Sequence, residues 1–174
     1  MYDLLIKDAR IIDGSRKPSF IGSVGIRGEK IAAVGDISES EAPDVLHANG
    51  LAVSPGFIDI HSHSEFTLLA DPRGEGKLMQ GVTTEVSGNC GLSAGPLYED
   101  YFERRKGDLS ELGLELTWHS LGEFFGILEN RGLSLNFATL IGHGNLRGSI
   151  VGYENRKPTA EEMEYSSEIL FAHG

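Results

Sequence analysis

The change of pattern at Pro55-Gly56 constrains the fold of this chain more than any other feature. Before it, the sequence reads as β-structure. Residues 2–12 are strand-like and stop at Asp13-Gly14. Residues 23–27 and 30–34 flank Gly28-Glu29, a pair suited to a type II′ hairpin turn. Residues 39–44 are polar and contain proline, which predicts a loop. One or two short strands follow around Asn49-Gly50. After Pro55-Gly56, short strands (57–61, which is apolar, 81–86 and 135–141) alternate with helical segments. The helical candidates are 68–80, helical near its end, 98–116, 121–130 with Gly132 as its C-terminal cap, and 159–171. The last opens on Thr159-x-x-Glu162, a capping box. Strands alternating with helices predict a parallel sheet and an α/β fold. Two regions follow, a β-rich 1–54 and an α/β 55–174.

Composition narrows the function. Twenty-six acidic against fifteen basic side chains give a formal charge of −11 and a pI near 4.9. That balance argues against a nucleic-acid partner, which usually meets a basic face. No basic stretch followed by an apolar run opens the chain, so no signal peptide is expected. No apolar run approaches the roughly 20 residues of a membrane span. A single cysteine excludes an internal disulfide and fits a reducing, cytoplasmic setting. The 23 glycines predict many turns and close backbone approaches.

Three motifs carry candidate chemistry. In Phe57-Ile58-Asp59-Ile60-His61-Ser62-His63, alternate residues of a strand share a face, which groups Asp59, His61 and His63. Two imidazoles there can hold one metal ion, with Asp59 orienting one of them. The alternative is a pair of polar loop histidines, since six histidines give about 0.2 such pairs by chance. In Val86-Ser87-Gly88-Asn89-Cys90-Gly91, Cys90 is either a thiolate ligand or a small buried hydrophobe. In Ile141-Gly142-His143-Gly144-Asn145-Leu146-Arg147, the glycines admit a ligand close to the backbone or form a plain turn. All three lie just past a predicted parallel strand, where α/β folds carry their ligands. His47, His119 and His173 lie elsewhere and read as surface or packing residues. Trp118 and Phe124-Phe125 read as core.

These residues together resemble a known family. Ile12-Asp13-Gly14, the stretch from Arg27 to Gly35, and Pro55-Gly56-Phe57 through His63 resemble the opening of an amidohydrolase-superfamily enzyme. Gln80-Gly81-Val82-Thr83-Thr84, Gly88-Asn89-Cys90-Gly91 and Gly142-His143-Gly144-Asn145-Leu146-Arg147 are narrower. They resemble the N-acyl-D-amino-acid deacylases, or D-aminoacylases, along essentially the whole chain. The resemblance implies a (β/α)8 TIM-type barrel preceded by a small β-sandwich. It implies that His61, His63 and Cys90 are zinc ligands and that His143 belongs to the substrate pocket. The activity implied is metal-assisted hydrolysis of a small-molecule N-acyl amino acid, zinc polarising the acyl carbonyl and acidifying water.

Length sets a limit on that resemblance. Such a barrel takes about 250 residues, and the stretch after Pro55 accommodates three βα units. The family's later histidine ligands and catalytic aspartate have no counterpart, so no catalytic residue is assigned. The chain therefore reads as an N-terminal fragment with an incomplete zinc site and negligible activity alone. An open sheet edge and a half-built core predict self-association. Two other readings stand beside the deacylase. One is a cyclic-amide hydrolase of the dihydroorotase or hydantoinase type, which often uses a bridging carbamylated lysine; Lys77, Lys106 and Lys157 are not at predicted strand ends. The other is a non-catalytic fragment that binds metal or a partner.

Overall fold

Strand β1 (Leu4–Ile11) organises the first sheet. It pairs antiparallel with β2 (Phe20–Arg27), which pairs antiparallel with β3 (Lys30–Gly35). On its other side β1 pairs parallel with β4 (Asp44–His47) and then β5 (Ala52–Val53). The β2–β3 hairpin closes at Arg27 opposite Lys30, with Gly28 at a φ of +57°. β1 carries a bulge between Ile6 and Ala9, where Asp8 turns to a positive φ of 56°. An extra residue there bends the strand and lets β4 and β5 run along the same edge. Ala9, Ile11, Val24 and Ala48 form a small core on this sheet.

The computed structural model describes residues 1–173, and of His173 only its backbone. The side chain of His173, read above as a surface or packing residue, thus lies outside the described residues. The chain divides into two units, Met1–Pro55 and Gly56–Gly174. In the second, β6 (Phe57–Asp59), β7 (Val82–Ser87) and β8 (Asn136–Thr139) form a parallel sheet in that order. Helices α1 (Glu65–Ala70) and α2 (Glu75–Leu78) connect β6 to β7. Helices α3 (Glu99–Ser110) and α4 (Leu121–Arg131) connect β7 to β8. Helices α5 (His143–Ile150) and α6 (Ala160–His173) follow β8. The chain is therefore α/β, with a mixed sheet in one unit and a parallel sheet in the other.

Apolar side chains of α3, α4 and the loops around them make the core of the second unit. Leu97, Leu109, Trp118 and Phe124 are buried there, with Phe125 packed against them. Each fully buried side chain of this size contributes about 1.5–3 kcal/mol. The Trp118 indole keeps its polar edge satisfied by donating to the Ala94 carbonyl at 2.8 Å. α4 begins at a capping box between Ser120 and Glu123 and ends at Gly132, whose φ is +73°. Among the described residues, no helix is long and apolar enough to cross a membrane.

Two expectations need correction. β6 ends at Asp59, so His61 and His63 lie past the strand, not on it. Residues 68–80 are helical near their end as expected, in the short α2, and also hold the end of α1. Residues 141–147, read as a loop whose glycines admit a ligand or form a plain turn, instead contain the start of helix α5 at His143. Glycine costs about 1 kcal/mol inside a helix, so local propensity argued against α5. Packing overrides it: a Cβ at Gly148 would lie 2.3 Å from the Tyr101 ring, and one at Gly144 2.6 Å from the Gly91 carbonyl oxygen. The helix approaches its neighbours closely because those positions are glycine.

Candidate metal centre

His61, His63 and Cys90 converge. One donor atom from each lies within 4.8 Å of the others. His61 Nε2 stands 3.3 Å from Cys90 Sγ, and the two imidazole rings meet edge to face with centroids 5.6 Å apart. All three side chains are exposed. Tetrahedral zinc bonds of about 2.3 Å to sulfur and about 2.0 Å to nitrogen put neighbouring donors roughly 3.5 Å apart. The 3.3 Å His61–Cys90 separation matches that spacing, and the mixed nitrogen and sulfur donors suit a divalent zinc-type ion. Cys90 is exposed, not a buried hydrophobe.

The turn after β7 aims the thiol. Gly88, Cys90 and Gly91 all have positive φ, at 79°, 55° and 78°. A Cβ at Gly88 would lie 2.1 Å from the Leu140 carbonyl oxygen, so glycine alone fits this close approach to the chain after β8. The Gly88 amide donates to the buried Glu65 carboxylate at 3.0 Å. Asn89 joins the two halves of the site. Its side-chain amide donates to the Ser62 carbonyl at 3.2 Å and to the Val86 carbonyl at 2.9 Å. The Ser62 amide donates to the same Val86 carbonyl at 3.2 Å, which extends the β6–β7 pairing into the histidine segment.

Asp59 does not orient an imidazole, as the strand reading expected. Its Oδ1 accepts the His61 backbone amide at 3.2 Å, and its Oδ2 pairs with the Lys77 ammonium. The Lys77 hydrogen bond, with the His61 amide second, holds the Asp59 carboxyl below its ordinary pKa. Asp59 and then Glu85 raise Lys77 above its own. The strand ends too early for the shared-face argument, so the carboxylate meets backbone and lysine instead.

His143 does not join the three donors. It is exposed on the first turn of α5 and lines a cavity of about 240 Å³ with Leu146, Arg147, Val151 and Met163. The start of α5 nevertheless packs on the cysteine turn. Gly144 donates its amide to the Gly91 carbonyl at 2.8 Å. Asn145, fully buried, accepts from the Ser93 amide at 2.9 Å and donates to the Ser93 and Pro96 carbonyls. Sequence reasoning passed over Asn89, Asn145, Glu65 and Glu85. Glu85 had a usable signal: an acid within the apolar strand Val82-Thr83-Thr84-Glu85-Val86 must find a partner when buried. The other histidines pack or pair elsewhere. His119 stacks on Phe102 at 4.3 Å, and His47 lies 3.6 Å from Asp8.

Comparison with known proteins bears on what this geometry serves. Residues 44–149 match the model of the amidohydrolase family. The chain is 38% identical to an N-acyl-D-glutamate deacylase of Alcaligenes xylosoxydans xylosoxydans, covering 97% of this chain and 34% of that protein. It is 36% identical to a D-aminoacylase of the same organism, covering 93% of this chain and 33% of that protein. The crystal structure of N-acyl-D-glutamate deacylase from Bordetella bronchiseptica superposes with a TM-score of 0.87 at 33% identity. That match covers 99% of this chain and 36% of the other. The relative was solved with zinc and a phosphonate inhibitor that mimics the tetrahedral intermediate of the reaction. The chain spans about a third of the length of the curated relatives it matches.

Proposed function

Because the chain belongs to the amidohydrolase family, we propose that it serves zinc-dependent hydrolysis of linear amides, of the N-acyl-D-amino-acid deacylase type. The convergence of His61, His63 and Cys90 within 4.8 Å carries this reading. The two imidazoles and the thiolate would hold the ion, and three protein donors leave a position open for water or substrate. When bound, zinc supplies Lewis-acid polarisation of the acyl carbonyl and lowers the pKa of water. The chain's own part is to hold the donors in place. Asn89 and the left-handed turn at 88–91 aim Cys90, while Asp59 holds the His61 backbone. His143, next to Gly144 on the Cys90 turn, is our candidate contact to the substrate, an N-acyl amino acid.

The same reading assigns Gly56–Gly174 to the first three βα units of a (β/α)8 barrel, and the first unit to part of a small β-sandwich. Three parallel strands in sequential order, each followed by helix, support it. We place the protein in the cytoplasm, where an exposed unpaired thiol is kept reduced. Cyclic-amide hydrolysis ranks second, because Lys77 is taken up by Asp59 and Glu85 while Cys90 stands beside His61. We expect the 174 residues by themselves to bind metal with negligible turnover.

A hydrolysis assay tests the function. The longest reading frame containing this sequence, loaded with zinc, should release acetate from N-acetyl-D-amino acids and lose that activity in His61→Ala. Ring opening of hydantoins in its place would favour the cyclic-amide reading. Turnover of neither would leave a metal-binding protein without this chemistry.

A further inference from the structure

Glu85 is fully buried in the central strand of the parallel sheet. A buried carboxylate needs compensating charge and hydrogen bonds, and Glu85 spends all of its contacts on one segment and one lysine. Oε1 accepts from Lys77 Nζ at 2.8 Å and from Ser62 Oγ at 3.2 Å, and Oε2 accepts from Ser64 Oγ. Lys77 also pairs with Asp59, whose other oxygen takes the His61 amide. One ammonium thus ties together two carboxylates. Those carboxylates hold residues 61–64 at three points: the His61 backbone and the hydroxyls of Ser62 and Ser64. His63 lies between the two anchored serines, and none of the anchoring groups is among the three donors.

We propose that Lys77 and Glu85, acting through Asp59, Ser62 and Ser64, are positioning residues that set the His61–His63 segment for metal binding. The inference rests on the metal reading given under Proposed function. The physical need arises because β6 is three residues long and ends at Asp59. Beyond it, the Ser62 amide continues the sheet pairing through a bond to the Val86 carbonyl. Charge-assisted hydrogen bonds are about twice as strong as neutral ones. A segment ordered in advance loses less freedom when it takes up an ion. Groups of this kind behind metal ligands typically govern affinity by 10–100-fold.

Cobalt(II), added to the metal-stripped protein and followed by its thiolate charge-transfer absorption, provides the test. Lys77→Met should weaken cobalt binding by about 10–100-fold and alter the absorption, with Lys77→Arg restoring both. A merely structural role would lower the unfolding midpoint and leave the affinity of the folded protein unchanged. If Lys77→Met does not fold, the Ser62→Ala/Ser64→Ala double variant, which removes only the hydroxyl anchors, is judged by the same criterion. Parental affinity in the folded variant, together with loss of binding in His61→Ala, overturns this inference alone. Parental affinity in His61→Ala overturns the metal reading and this inference with it.

Discussion

Cys90 sits at a φ of +55°, a conformation that costs a side-chain-bearing residue free energy and recurs at functional sites. Its flanking glycines relieve the rest of the turn, and the thiol is left exposed against His61. Removing either donor should therefore spare the fold. His61→Ala and Cys90→Ala are each expected to lower the zinc retained after dialysis while the circular dichroism spectrum stays parental. Unchanged zinc content in both would remove them from the ligand set. Gly88 behaves differently. Gly88→Ala combines a left-handed backbone, worth about 1–3 kcal/mol, with a Cβ that would lie 2.1 Å from the Leu140 carbonyl. Gly28→Ala, at a φ of +57° with nothing within 4 Å, carries the backbone cost alone. Urea unfolding should show the Gly88 variant clearly less stable than the Gly28 variant, and less able to retain zinc.

Elements declared themselves wherever a local signal matched the packing. The Thr159-x-x-Glu162 box forms as expected: Thr159 Oγ1 accepts the Glu162 amide at 3.2 Å, and Glu162 accepts the Thr159 amide at 2.7 Å. Thr159→Ala should destabilise α6 by about 1 kcal/mol, seen as lower helicity at elevated temperature. The Arg156 guanidinium, before the Thr159 amide, lowers the Glu162 carboxyl to about 2. A value depressed below the unfolded one means stabilisation that is complete above about pH 4.5 and lost as pH falls toward 2. This pair, with Arg156 exposed and Glu162 half-buried, is weakened by salt. Acid titration of helicity should show a step in that window that Glu162→Gln lacks. α5 was illegible for the opposite reason. Its glycines speak against a helix locally, and only Tyr101 and Gly91 reveal why they are there.

Across the molecule, apolar surface remains uncovered in both units. β6 and β8 form the two edges of the parallel sheet, and Phe57, Ile58, Ile60 and Leu140 on or beside them are each more than half exposed. In the first sheet the same holds for Ile21, Ile31 and Leu46. Monomeric proteins rarely tolerate large contiguous patches or bare strand edges. Sedimentation at micromolar concentration should show a dimer or larger species, and added salt should not dissociate it, since the surface is apolar. A sharp monomer across that range would defeat the prediction.

Local physics made much of this chain readable without a structure. Strand alternation, helix caps and turn pairs identified most strands and helices, because those signals act within a few residues. The spacing of His61 and His63 marked them as candidate donors, while Cys90 was singled out as a donor by the resemblance of Gly88-Asn89-Cys90-Gly91 to the deacylase family. The tertiary structure alone decided that residues 61 and 90 meet at 3.3 Å. That contact depends on the parallel register of β6 on β7 and on the handedness of the turn at 88–91. It also decided the partners of Asp59 and Glu85, since a buried charge is matched by whatever the fold brings beside it. Lys77, 18 residues from Asp59 and on a different element, satisfies both carboxylates because the fold seats α2 against β7, which carries Glu85, with Asp59 on the neighbouring strand.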